Sequence, residues 1–105
     1  MTPFGLATVT GRSMEPTLYE GDRLLVHYGV PARVGSLVVV RLPDRPVAVK
    51  RLARAVEGGW WVERDNPGEG VDSWLVGAVA DEDVLGRVVL RWWPLGRRGP
   101  PRLSH

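Results

Sequence analysis

The chain has 105 residues, 44% of them hydrophobic and 25% charged, and a formal net charge of only +2. That length suits one core and one domain, and a weak positive charge carried by scattered arginines argues against a nucleic-acid partner. There are no cysteines, and the only histidines are His27 and the terminal His105, so disulfides and thiolate chemistry are excluded and no metal site is expected.

In chain order, short valine-rich runs predict β-structure almost throughout. Strands are expected at LATVT (6–10), RLLVHY (23–28), SLVVVRL (36–42), VAVKRLARA (47–55), GWWVER (59–64) and VLGRVVLRWW (84–93). Turn residues separate them: EGD, GVPARVG, PDRP, EGG and DNPGEG. No run sustains a helical period for three turns with caps at both ends. The pattern predicts an all-β fold, a small antiparallel sandwich or partly open barrel.

Residues 1–94 are expected to form this domain, and the proline-, glycine- and arginine-rich 95–105 a disordered tail. No stretch reaches the roughly 18–20 apolar residues of a membrane span, and the start lacks the pattern of a secretory leader. Met1 reads as a genuine start, so a cytoplasmic location is expected. A chain trimmed of an anchor would read the same way, which makes membrane association the alternative.

Of the fourteen basic residues, Lys50 is the single lysine. Arginine stays protonated, whereas a buried lysine can release its proton and serve as a base. Alternation within VAVKRL puts Lys50 on one face with Ala48 and Leu52, an apolar setting for an amine. The PDRP turn makes a hairpin of the two valine-rich strands, and Arg51 points to the other face beside Val49.

The stretch GRSMEPTLYEGD contains one serine, Ser13, whose hydroxyl a lysine base could activate. Burial lowers a lysine pKa by as much as about 3–5 units, enough to make a neutral amine available. Ser13 and Lys50 are therefore a candidate dyad. The simpler account makes Ser13 a turn hydroxyl, Lys50 a snorkelling strand lysine, and the whole a non-catalytic β-barrel that binds peptides.

Three segments decide between these accounts. SMEPTLYEGDRLLV resembles the serine segment of the signal peptidase I family, VAVKRL resembles its lysine segment, and RDNPGEGVDSWLVGAV resembles its third segment. The resemblance implies the catalytic core shared with the self-cleaving repressors. It makes Ser13 the acylating nucleophile, Lys50 the general base, and the Ser13 N–H an oxyanion donor. Met14 and Pro16 would shape the turn, with Gly11 beside it, while Arg51, Asp65, Asn66, Asp72 and Ser73 would support the site. No cofactor is implied.

Three positions depart from the family pattern. Gly11 stands where some members offer a second oxyanion hydroxyl, and Gly70 where a serine often bonds the lysine amine. Trp74 replaces an arginine that commonly pairs with the aspartate. Lys50 is then expected to turn to Ser73 or water, and Asp72 to Arg51.

Only twelve residues precede Ser13, too few for a membrane anchor or a DNA-binding domain. The runs FGLATVTGRSMEPTL and DEDVLGRVVLRWWP are most similar to the short actinobacterial peptidases that mature nickel-type superoxide dismutase. The implied partner is a precursor polypeptide, that dismutase precursor, losing its N-terminal leader; the alternative is processing of secretory precursors at a membrane. The five tryptophans are expected to serve ordinary packing, with an apolar docking ledge as the alternative.

Overall fold

The run LVVV at Leu37–Val40 is buried at all four positions, which requires cover on both faces of a strand. The computed structural model describes residues 3–94 and provides that cover; the expected tail at 95–105 lies outside the described residues. The strands are β1 (Phe4–Thr8), β2 (Arg23–Tyr28), β3 (Leu37–Val40), β4 (Ala48–Val56), β5 (Gly59–Glu63) and β6 (Val84–Trp93). They form one six-stranded sheet in the order β1-β2-β6-β3-β4-β5, antiparallel at every pairing. The fold is all-β, as expected.

Strand β3 lies between β6 and β4, and its side chains alternate between two cores. Leu37 and Val39 join Met14, Leu18, Leu24 and Val26, while Val38 and Val40 join Leu42, Leu52, Val62 and Val79. Burying each such valine or leucine stabilises by about 1.5–3 kcal/mol. That sum holds β4 in register, with Val38 opposite Lys50 and Leu37 opposite Arg51. A slip of one residue would exchange the faces of Lys50 and Arg51, taking Lys50 to the side of the first core and Arg51 to that of the second.

Strand β1 begins two residues earlier than expected. Phe4 pairs with His27 of β2, and their rings stack with centroids 4.3 Å apart. The one α-helix among the described residues is a single turn, α1 (Ser73–Val76), capped by Asp72, whose carboxylate accepts from the Trp74 N–H at 3.1 Å, and a 3-10 turn at Asp81–Asp83 leads into β6. Core packing describes only part of the tryptophan set. Trp60 packs on the second core, but Trp74 is 71% exposed and Trp93 51%. Valine and leucine already fill most of both cores, so these two rings lie at the surface, Trp74 on α1 and Trp93 at the end of β6.

Candidate active site

Ser13 lies in the connection between β1 and β2, a loop pinched at its base. The Val9 N–H donates to Asp22 C=O and the Gly21 N–H to Val9 C=O, each at 2.8 Å. Gly11 turns the chain at φ +76, and its N–H donates to Glu20 Oε2 at 3.2 Å. Beyond Ser13 the Leu18 N–H donates to Met14 C=O at 2.9 Å. Met14 and Leu18 are both buried in the first core, which leaves Ser13 half-buried at the surface of its own turn. The Glu15–Pro16 peptide is cis.

Lys50 reaches this turn from near the start of β4. Its Nζ lies 2.9 Å from Ser13 Oγ, and the residue is only 3% exposed. Burial is the main influence on the amine and pushes its pKa below the ordinary lysine value. The Asp72 carboxylate pulls it back up and the Arg64 guanidinium pushes it down. A neutral amine beside a serine hydroxyl can accept that hydroxyl's proton. Among the described residues no acceptor takes the Ser13 N–H.

The third segment wraps around this pair. The Asn66 N–H donates to Ser13 C=O at 2.8 Å, and Asn66 Nδ2 donates to Arg12 C=O at 2.8 Å. Asp65 accepts from the Thr17 hydroxyl at 2.6 Å and from Arg51 Nη2 at 2.7 Å. Together these contacts tie the serine turn to β4 and to the segment after β5.

Two expected partnerships do not form. Arg51 pairs with Asp65 rather than Asp72, because Asp65 lies on the face of β4 to which Arg51 points. Asp72 instead accepts from the Arg64 backbone N–H at 3.1 Å and has Arg64 Nη1 at 3.9 Å. Ser73 does not hold Lys50: its Oγ accepts from the Val62 N–H at 2.9 Å. Ser13 is the one hydrogen-bond partner of the Lys50 amine among the described residues.

Gly70 explains why no hydroxyl stands at its position. A Cβ there would lie 2.3 Å from Ser13 Cβ and 3.3 Å from Ser13 Oγ, with φ at +93. The glycine backbone itself forms the wall behind the serine, and a side chain would displace it.

The pair opens into a cleft of about 600 Å³, lined among others by Leu42, Arg45, Glu69 and Val71. A smaller cavity of about 80 Å³ adjoins Ser13, walled by Val9, Met14, Val39 and Val49. Thr17 lies in the serine segment and Arg64 opens the third segment, but the contacts that give each a role exist only in the folded chain.

Residues 3–89 match the family described as Peptidase S24-like. The chain belongs to that family. It is also similar to mitochondrial inner membrane protease subunit 1 of Xenopus tropicalis, 29% identical over an aligned length of 121 that covers 90% of this chain and 72% of that protein. These likenesses support the broader signal peptidase I-like placement and a serine-type peptidase acting on polypeptide. Neither bears on the nickel-type superoxide dismutase subgroup. Among the described residues no helix of this S24-like peptidase is long and apolar enough to cross a membrane.

Proposed function

We propose that this peptidase cleaves a precursor polypeptide with Ser13 as nucleophile and Lys50 as general base. The observation that carries the reading is the 2.9 Å approach of the buried Lys50 amine to Ser13 Oγ. The neutral amine takes the hydroxyl proton as Oγ attacks the scissile carbonyl carbon. The oxyanion that forms is stabilised by the Ser13 N–H. The Lys50 ammonium then protonates the leaving amine as the C–N bond breaks, leaving an acyl-enzyme. Lys50, neutral again, deprotonates the water that releases the acyl group.

The substrate binds extended along β1, an edge strand of the sheet among the described residues, whose Ala7 and Thr8 line the small cavity together with Thr10. That cavity of about 80 Å³ admits a small aliphatic side chain beside the scissile bond. The precursor is that of nickel-type superoxide dismutase, a reading that rests on the similarity of FGLATVTGRSMEPTL and DEDVLGRVVLRWWP to its maturation peptidases. Incubation with this precursor and with a secretory precursor, followed by mass analysis, tests the assignment. Ser13-dependent release of the dismutase leader is expected; cleavage of the secretory precursor alone would overturn the substrate.

A second reading, processing at a membrane, is favoured by one surface. Register places Phe4, Leu6, Leu25, Leu90 and Trp93 on one sheet face with Arg23 and Arg87. Leu6 is 68% exposed and Trp93 51%, and β1, β2 and β6 carry no acidic residue. Exposed apolar groups ringed by arginine suit an anionic bilayer surface. Flotation with anionic vesicles that is lost in Leu6→Glu would support it, and failure of the unaltered protein to float would remove it.

A further inference from the structure

Arg64, which directly follows β5, contacts both the loop behind Ser13 and the carboxylate that acts on Lys50. Its Nη1 donates to Gly70 C=O at 3.1 Å and its Nη2 to Pro67 C=O at 3.0 Å. Nη1 also lies 3.9 Å from Asp72 Oδ1, and the side chain is 28% exposed. One planar fork therefore spans residues 67–72, a geometry that arginine supplies and lysine does not. Gly70, whose carbonyl it holds, is the residue whose backbone abuts Ser13. Asp72 is 3% exposed, and Arg51, the other candidate to balance it, is committed to Asp65.

We propose that Arg64 is a positioning residue for the Ser13–Lys50 pair, holding Gly70 against Ser13 and balancing the charge of Asp72. It acts through its neighbours and touches neither reacting atom. Two consequences follow from its loss. The loop from Pro67 to Gly70 loses its clamp, so the wall behind Ser13 loosens. Asp72 also keeps its full charge, which favours the protonated form of Lys50, while the opposing push of Arg64 disappears. Both electrostatic changes act in the same direction, toward an ammonium that is no base. The other charged groups lining the Lys50 cleft are Arg12, Arg45 and Glu69.

This inference rests on the dyad reading above, yet it can be tested without any substrate. Because Lys50 is the single lysine in the chain, protein labelled with ¹³C-lysine gives one side-chain signal, whose pH titration reads Lys50 directly. The Arg64→Met variant is expected to titrate at higher pH than the unaltered protein. Arg64→Lys, which keeps the charge and loses the fork, is expected to fall between them. In a cleavage assay on the dismutase precursor, Arg64→Met is expected to lower kcat on the order of tenfold at neutral pH. Raising the pH should recover part of that loss, with KM little changed, a pattern that simple destabilisation does not produce.

An unmoved Lys50 titration in folded Arg64→Met would overturn the proposal. If Arg64→Met does not fold, the same titration of Arg64→Lys and Arg64→Gln decides it, and coincidence of both with the unaltered protein would overturn it equally. Failure of the dyad reading shows separately, as cleavage that persists in Ser13→Ala.

Discussion

Lys50 Nζ approaches Ser13 Oγ to 2.9 Å across 37 positions of sequence, from a strand position that is 3% exposed. The amine is thus removed from water by the same packing that holds it against the hydroxyl. Ser13→Ala removes the nucleophile, and Lys50→Arg replaces the base with a group that stays protonated. Each is expected to lower precursor cleavage by at least about a thousandfold, measured by mass analysis of the products. Near-normal rates in both folded variants would eliminate the dyad.

The depressed Lys50 pKa fixes the direction of two pH dependences. Cleavage needs the neutral amine, so kcat/KM is expected to rise with pH through the folded Lys50 value and then level. Stability follows the same sign. Between that value and the unfolded one of about 10.4, the unfolded chain binds a proton that the folded chain does not, so stability rises with pH. Below both values the folded state carries the full cost of a buried ammonium. Thermal unfolding of Lys50→Met should lack this rise, and its Tm relative to the unaltered protein should fall as pH increases through the window.

Gly70→Ala puts a Cβ 2.3 Å from that of Ser13, at a backbone φ of +93. The conformation alone costs about 1–2 kcal/mol for an L side chain, and Ser13 must shift. A loss of roughly a hundredfold in kcat is expected from displacement of the nucleophile on the ångström scale. Gly70→Ser should do no better, even though it adds a hydroxyl beside the lysine. Single-turnover cleavage of both variants checks this, and a Gly70→Ser enzyme as active as the unaltered protein would refute the steric account.

Arg51 and Asp65 pair at 2.7 Å with both side chains less than one-fifth exposed. Arg51→Met leaves the Asp65 carboxylate with the Thr17 hydroxyl. It is expected to destabilise by about 1–3 kcal/mol, a drop of several degrees in Tm. Asn66→Ala breaks the side-chain bonds to Arg12 C=O and from the Gly68 N–H but keeps the backbone bond to Ser13. Its expected signature is a fall in kcat on the order of tenfold with a smaller change in Tm. Calorimetry paired with cleavage kinetics separates the two variants.

Much of this was legible before any coordinates. Valine alternation and turn residues located all six strands, and β1 alone began appreciably early because Phe4 finds a stacking partner in His27. The hairpin between β3 and β4, and with it the buried face that carries Lys50, also followed from pattern. Partner choice among the charged groups did not. The sequence points Asp72 to Arg51, and only the folded face of β4, which Arg51 shares with Asp65, commits Arg51 elsewhere and leaves Arg64 beside Asp72.

By itself the sequence determined the strands, their faces and the residue types available for chemistry: one lysine, no cysteine, and a serine in a glycine- and proline-bounded turn. These are local matters, settled by side-chain periodicity and backbone freedom. The tertiary structure alone decided that Lys50 meets Ser13, that Gly70 must lack a side chain, and that Arg64 rather than Arg51 faces Asp72. The reason is physical. The contacts of Ser13 with Lys50 and Gly70 join segments far apart in the chain, set by core packing that no short window of sequence contains, and the choice of Arg64 over Arg51 follows from where the fold places Asp65.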